Sequence, residues 1–280
     1  MNYFKIKSYA KVNLALNVVG KKNLLHKIET VVSFVKLHDE ILIKKTKDKD
    51  NNIKFIGKFS SNISSKNTVS RLFDIIDKNK LLNNKYQIIV KKNIPSRAGL
   101  GGGSNNAAAI LNFFTKNEII KISKKKKFQI ANLIGSDVML GMYYKNLILR
   151  SNNSIKTFLI KKKIPVLIVK PNFGCSTKKI YSDVKIFTKA KFSHSSKSIF
   201  NLNFLKHMKN DLELIAFNKY PKLNILKKFL EKLPHVEFVR MTGSGSAIIA
   251  YFKSDKKSKE AEKKVKKQFR NYWCKTSKTI

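Results

Sequence analysis

Acidic residues and cysteines are what this chain has least of. Seventeen Asp and Glu stand against 59 Lys and Arg over 280 residues, a formal net charge of +42. Cys175 and Cys274 are the only cysteines. Two are too few for a disulfide framework or a four-cysteine zinc site, and they fit a reducing cytoplasm. Five scattered prolines and eleven glycines leave no linker-like stretch and no internal repeat. No apolar run reaches the ~18–20 residues that span a bilayer. The opening octet Met1–Ser8 alternates apolar and polar residues and lacks the apolar core of a secretory signal. Core-forming material is abundant: 42% hydrophobic and 10% aromatic residues exclude global disorder. The length suits one large domain or two modest ones.

The basic excess is nearly all lysine. Only five of the 59 are arginine (Arg71, Arg97, Arg150, Arg240 and Arg270), whereas nucleic-acid sites favour the bidentate guanidinium. Lysine abundance alongside Asn and Ile reads as an A/T-rich coding bias. No nucleic-acid and no membrane partner is expected, although the field draws anionic substrates. A basic nucleic-acid-binding protein stays as the alternative from another class, and salt-sensitive RNA binding would be its mark. The Lys-rich runs at 123–127 and 253–267 read as solvated faces or helix ends. In the second, Ala261, Val265 and Phe269 form one apolar stripe of an amphipathic helix.

Periodicity predicts an α+β fold. Strands are expected over 3–8, 10–18, 29–34, 40–44, 86–91, 147–150, 166–170, 236–240 and 247–252. Helices are expected over 68–79, 105–116, 126–134, 178–183, 210–219, 223–232 and 256–270. The two types do not alternate regularly, which argues against a doubly wound parallel sheet. A boundary within 155–164 divides the chain into domains 1–158 and 159–280.

The strongest local signal is Pro95-Ser96-Arg97-Ala98-Gly99-Leu100-Gly101-Gly102-Gly103-Ser104-Asn105. A β-rich run precedes it and an Ala-rich helix follows. Four glycines in five positions suit unusual φ values or close backbone approach. The free N–H groups and dipole of the following helix favour an anion. Strand, glycine loop and helix start together make a phosphate cradle. The ending is not Gly-Lys-Ser/Thr, and the dinucleotide fingerprint fails at its last glycine. The alternative is a surface loop whose helix is N-capped by Ser104 or Asn105.

Other residues carry chemistry with a plainer reading beside it. Asp137 is either the N-cap of a helix starting at Val138 or a working carboxylate. Lys11 is a lysine in an otherwise apolar strand. His26 and Tyr181 alone read as a surface histidine and a core aromatic. Gly243 and Gly245, within Met241–Ala247, suit a hairpin.

Taken in order, these segments resemble the GHMP kinases. The triple glycine with Ser104-Asn105-Asn106-Ala107-Ala108 is similar to their phosphate-binding motif. Ala10-Lys11-Val12-Asn13-Leu14, with Leu25-His26-Lys27-Ile28-Glu29-Thr30 after it, resembles their first motif. Gly135-Ser136-Asp137-Val138 resembles their catalytic segment, and Met241–Ala247 their third motif. Ser176-Thr177 ahead of Tyr181, and Asn210-Asp211-Leu212-Glu213, are lesser matches. The likeness covers essentially the whole chain and is closest to the branch that acts on a cytidine diphosphate-linked polyol.

The resemblance implies a two-domain α+β architecture with the active site in the cleft between domains, and ATP with Mg2+ as phosphoryl donor. It implies Asp137 as catalytic base with Lys11 beside it, and residues 95–105 with Asn67 and Lys92 at the nucleotide. His26 and Tyr181 are implied at the cytosine, with Asn13, Thr177, Gly243 and Gly245 also at the substrate. No acidic metal ligand is assigned, and no oligomeric state is specified. Homoserine or mevalonate kinase activity is the alternative within the superfamily. The chain departs from the pattern at Leu25, where an aromatic is usual, at Asn105 in place of serine, and at Met139 in place of proline.

Overall fold

The computed structural model describes residues 3–23, 25–61, 63–194 and 196–280; Met1 and Asn2 of the opening octet lie outside them. The strands are β1 Phe4–Lys22, β2 Leu25–Thr46, β3 Asn52–Ile56, β4 Lys85–Lys91, β5 Asn146–Leu149, β6 Ile155–Phe158, β7 Pro165–Lys170, β8 Val236–Met241, β9 Ile248–Phe252 and β10 Trp273–Lys278. The α-helices are α1 Thr68–Lys78, α2 Gly102–Lys116, α3 Lys124–Ile134, α4 Ser136–Gly141, α5 Thr177–Ser182, α6 Leu202–Lys206, α7 Leu212–Lys219, α8 Pro221–Glu231 and α9 Asp255–Gln268. Helices and strands are mixed without regular alternation, as an α+β fold requires.

Two compact units, each assembled from separate stretches, divide the chain. The first holds 1–10, 37–96 and 101–144; the second holds 11–36, 97–100 and 145–280. In the first, β4 pairs antiparallel with β2 (Glu40 opposite Lys91) and parallel with β3 (Asn52 opposite Gln87). Its core joins Ile41, Ile43, Ile88 and Val90 of these strands to Leu72 and Ile76 of α1 and Ile110 and Phe114 of α2. Helix α2 packs closely on α4: a Cβ added at Gly141 would come within 2.9 Å of the Ala108 methyl.

In the second unit an antiparallel sheet runs β10-β7-β9-β8. Residues of β2 pair with β5 (Thr30 opposite Leu149), and β5 with β6. Leu167, Val169, Ile248 and Ala250 of the sheet pack against Leu212, Ala216, Leu226 and Leu230 of α7 and α8. Helix α9 buries Ser258, Ala261 and Val265 on one side, and its lysines cover the other, as an amphipathic surface helix does. Phe269 lies just past the helix end, with its ring 5.0 Å from that of Tyr272.

Most expected elements are present, with three kinds of difference. Residues 3–8 and 10–18 are one strand of 19 residues, and 29–34 with 40–44 lie in one strand of 22. The polar residues that broke the alternation are themselves buried: Ser8, Lys11, Asn13, Glu29, Thr30 and Ser33. Short β3, β6, β10 and α6 were not expected, and α4 was raised only as a helix starting at Val138, two residues after its actual start at Ser136. Several of these are polar or edge pieces without a clear period; β10, for example, pairs with β7 alone. Helix α2 starts at Gly102, three residues ahead of its expected start.

Candidate active site

The glycine-rich loop earns its glycines at particular positions. Gly99 (φ +72°) and Gly101 (φ +67°) occupy the left-handed region, where a Cβ is strained. At Gly99 a Cβ would also sit 2.9 Å from the carbonyl carbon of Thr242 and closer still to its oxygen. Gly101 is the N-cap of α2 and, as a glycine, supplies no side-chain cap. Asn105 is the first residue whose N–H returns into the helix, to Gly101 O at 2.8 Å. The amides of Gly102, Gly103 and Ser104 thus face the helix N-terminus without a side-chain cap, a disposition that receives an anion. The alternative in which Ser104 or Asn105 caps the helix does not occur.

Asn105 is buried inside the first turn, where its amide donates to Tyr9 O at 2.7 Å. Its main-chain carbonyl accepts from the Tyr144 hydroxyl at 3.0 Å; burial pushes that phenol well above the ordinary tyrosine pKa. Ahead of the loop, Pro95 is buried and Ser96 exposed. Asp137 stands in the first turn of α4, one residue past Ser136, and is half-buried. Gly135, not Asp137, is the N-cap of that helix, and Asp137 lies inside its first turn.

Two residues expected at the nucleotide have structural partners in the first unit. Asn67 is the N-cap of α1: its Oδ1 accepts from the N–H groups of Val69 (2.9 Å) and Ser70 (3.1 Å), and its Nδ2 donates to Ser64 O. Lys92 is buried and ion-paired with buried Asp39. Sequence reasoning missed Asp39, which sits in a strand 53 residues from its lysine.

In the second unit the middle of the same loop lies against the β8–β9 loop. Ser246 and Ala247 N–H donate to Arg97 O (3.3 Å) and Ala98 O (3.2 Å), and the Thr242 hydroxyl donates to Gly99 O. Lys11 N–H donates to Leu100 O at 3.0 Å. A buried polar chain continues from there. Lys11 Nζ donates to Asn13 Oδ1 (2.7 Å), Asn13 Nδ2 to Thr30 Oγ1 (2.8 Å), and Asn13 N–H to Thr242 Oγ1 (3.0 Å). Lys11 and Asn13 are therefore held in fixed orientations, not solvated.

Gly243 (φ +54°) and Gly245 (φ +84°) turn the β8–β9 loop. Buried Asn210 pins it, donating to Met241 O at 2.9 Å and Gly243 O at 2.8 Å. Thr177, the first residue of α5, lies 2.8 Å from the Ser244 hydroxyl. The His26 ring is 5.1 Å from that of Tyr181 and 6.4 Å from that of Phe187. Phe187 is a third ring that the sequence did not single out. Partial burial, and Lys21 secondarily, hold the His26 imidazole below its ordinary pKa, so it is neutral at pH 7. Leu25 beside it is 78% exposed. Among the described residues, no group of three His, Cys, Asp or Glu could hold a metal ion.

Residues 67–143 match the profile of the GHMP kinases N terminal domain, and residues 196–271 match that of GHMP kinases C terminal. The 4-diphosphocytidyl-2-C-methyl-D-erythritol kinase of Pelagibacter ubique (strain HTCC1062) is 54% identical over 281 residues, covering 100% of both chains. The enzyme of that name from Petrotoga mobilis is 32% identical over 87% of this chain and 96% of its own. A crystal structure of 4-(cytidine 5'-diphospho)-2C-methyl-D-erythritol kinase shares the fold, with a TM-score of 0.80 at 21% identity over 98% of this chain and 99% of that one. The chain belongs to the GHMP kinases, in the family of the 4-diphosphocytidyl-2-C-methyl-D-erythritol kinases.

Proposed function

We propose that this protein transfers the γ-phosphoryl group of ATP to the 2-hydroxyl of 4-diphosphocytidyl-2-C-methyl-D-erythritol, in the methylerythritol phosphate route to isoprenoid precursors. The full-length identity to the Pelagibacter enzyme carries the reading, and the uncapped start of α2 after a glycine loop supports its chemistry. The protein's task in such a transfer is mainly to position the reactants and neutralise charge. Residues 95–105 hold the nucleotide, with the amides of Gly102, Gly103 and Ser104 directed at its phosphates. Asn67 and Lys92 serve the nucleotide through the helix and loop they hold in place. Magnesium would accompany ATP at residues 95–105 and would offset the charge of its phosphates.

Asp137 accepts the proton of the acceptor hydroxyl as that oxygen bonds to the γ-phosphorus. The bond from the γ-phosphorus to the β–γ bridging oxygen breaks, and ADP leaves. Lys11, oriented through Asn13, stabilises the charge that develops. His26 and Tyr181 receive the cytosine, by hydrogen bonding and by stacking respectively, and Asn13, Thr177, Gly243 and Gly245 line the substrate side. The neutral imidazole supports the first role, and two buried free thiols support residence in a reducing cytoplasm. A coupled ADP-release assay with the cytidine substrate, homoserine and mevalonate tests the reading. ATP turnover with the cytidine alcohol alone is expected; preference for either rival would overturn it.

A further inference from the structure

The anion-receiving end of α2 has no side-chain cap, so something else must fix where the helix begins. The first unit places a buried carboxylate against its first turns. Asp39 is 0% exposed. Its Oδ1 accepts the N–H groups of Asn93 (2.7 Å) and Ile94 (2.8 Å), where the chain leaves β4. Its Oδ2 accepts Nδ2 of Asn106 in α2 (3.0 Å) and pairs with Lys92 Nζ. One side chain therefore ties residues 93–94 to residue 106, the two ends of the loop that runs through Gly99 and Gly101.

The lysine completes the arrangement. A Cβ at Gly102 would lie 3.3 Å from Lys92 Nζ, so the ammonium rests against the first residue of α2. A buried carboxylate alone beneath that turn would oppose an incoming phosphate. Paired with Lys92 it leaves the helix end positive, because neighbouring opposite charges cancel at a distance. We propose that Asp39 is a positioning residue for ATP, a clamp that sets the start of α2 and the spacing of the amides meant for the phosphates. This rests on the reading that those amides receive the nucleotide.

The test is ATP binding to the full chain by isothermal titration calorimetry in magnesium buffer, with steady-state KM values alongside. In Asp39→Asn the new amide directs donors at Asn106 Nδ2 and Lys92 Nζ, both donors themselves. The expected result is a folded protein whose Kd and KM for ATP rise about tenfold or more. KM for the cytidine alcohol should stay within about twofold of wild type. Equal rises in both KM values, or no change in either, would overturn the proposal. If Asp39→Asn does not fold, the exchange Asp39→Asn with Asn106→Asp decides. It restores one donor facing one acceptor and returns a carboxylate within reach of Lys92. Recovery of ATP binding to within about fivefold of wild type supports the clamp; failure to fold or to bind overturns it. A wild-type protein that binds ATP yet leaves the cytidine alcohol untouched would refute the substrate assignment and leave the clamp test intact.

Discussion

Replacing Gly99 by alanine puts the loop geometry under direct strain. The residue has φ +72°, and the added methyl would meet the Thr242 carbonyl carbon at 2.9 Å and the Gly245 oxygen at 3.2 Å. Both are backbone atoms, so no side chain can swing aside. The left-handed backbone costs about 1–2 kcal/mol for a residue with a Cβ. Forcing atoms into a packed site adds about 1–3 kcal/mol. The sum, about 2–5 kcal/mol, is a large part of a total stability of ~5–15 kcal/mol. At about 2–4 °C per kcal/mol, the midpoint should fall by roughly 4–20 °C in differential scanning fluorimetry. The displacement also reaches the substrate side, because the Thr242 hydroxyl binds both Gly99 O and the Asn13 N–H; kcat should fall with Tm. Gly20→Ala is the control, since a Cβ there meets nothing within 4 Å. A Gly99→Ala protein that melts within about 2 °C of wild type and retains its kcat would refute the reasoning.

Tyr181→Ala removes the ring beside His26 and should raise KM for the cytidine substrate about tenfold, ~1.4 kcal/mol, with KM for ATP within twofold. An unchanged substrate KM would take Tyr181 out of the pocket. Because burial and Lys21 lower the His26 pKa from its ordinary 6.5, any loss falls on the acid side. The substrate KM should be flat at neutral pH and rise only below pH 6.5, as the imidazolium forms. A pH–KM profile of His26→Gln should lack that rise, and an identical profile would remove His26 from base recognition.

The sequence was most legible where chemistry and backbone demand coincide. Gly99 and Gly101 are needed for their φ values, and the N–H groups that follow are those a phosphate wants, so one motif carries both messages. Long β1 and β2 were harder to read. Lys11, Asn13, Glu29 and Thr30 interrupt the apolar alternation, and only the fold reveals that they are buried and satisfied by each other or by backbone. Asp137 was ambiguous because an aspartate before a short helix is a common cap; α4 starts at Ser136 with Gly135 as its N-cap, so Asp137 sits inside the first turn. Asp39 was not legible at all. Its partners lie 53 to 67 residues away, and a carboxylate within a strand of a lysine-rich chain carries no local pattern. Phe187 likewise gains meaning only through the nearness of its ring to His26.

The central claim is that Asp137 takes the acceptor's proton while the start of α2 holds the nucleotide. Its most direct test is one variant measured twice: turnover and ATP affinity of Asp137→Asn, compared with wild type. The account predicts a kcat lower by about 10³-fold, the scale of a lost general base, with the Kd for ATP unchanged within about twofold. Turnover within about tenfold of wild type, or ATP affinity lost in step with kcat, would contradict it.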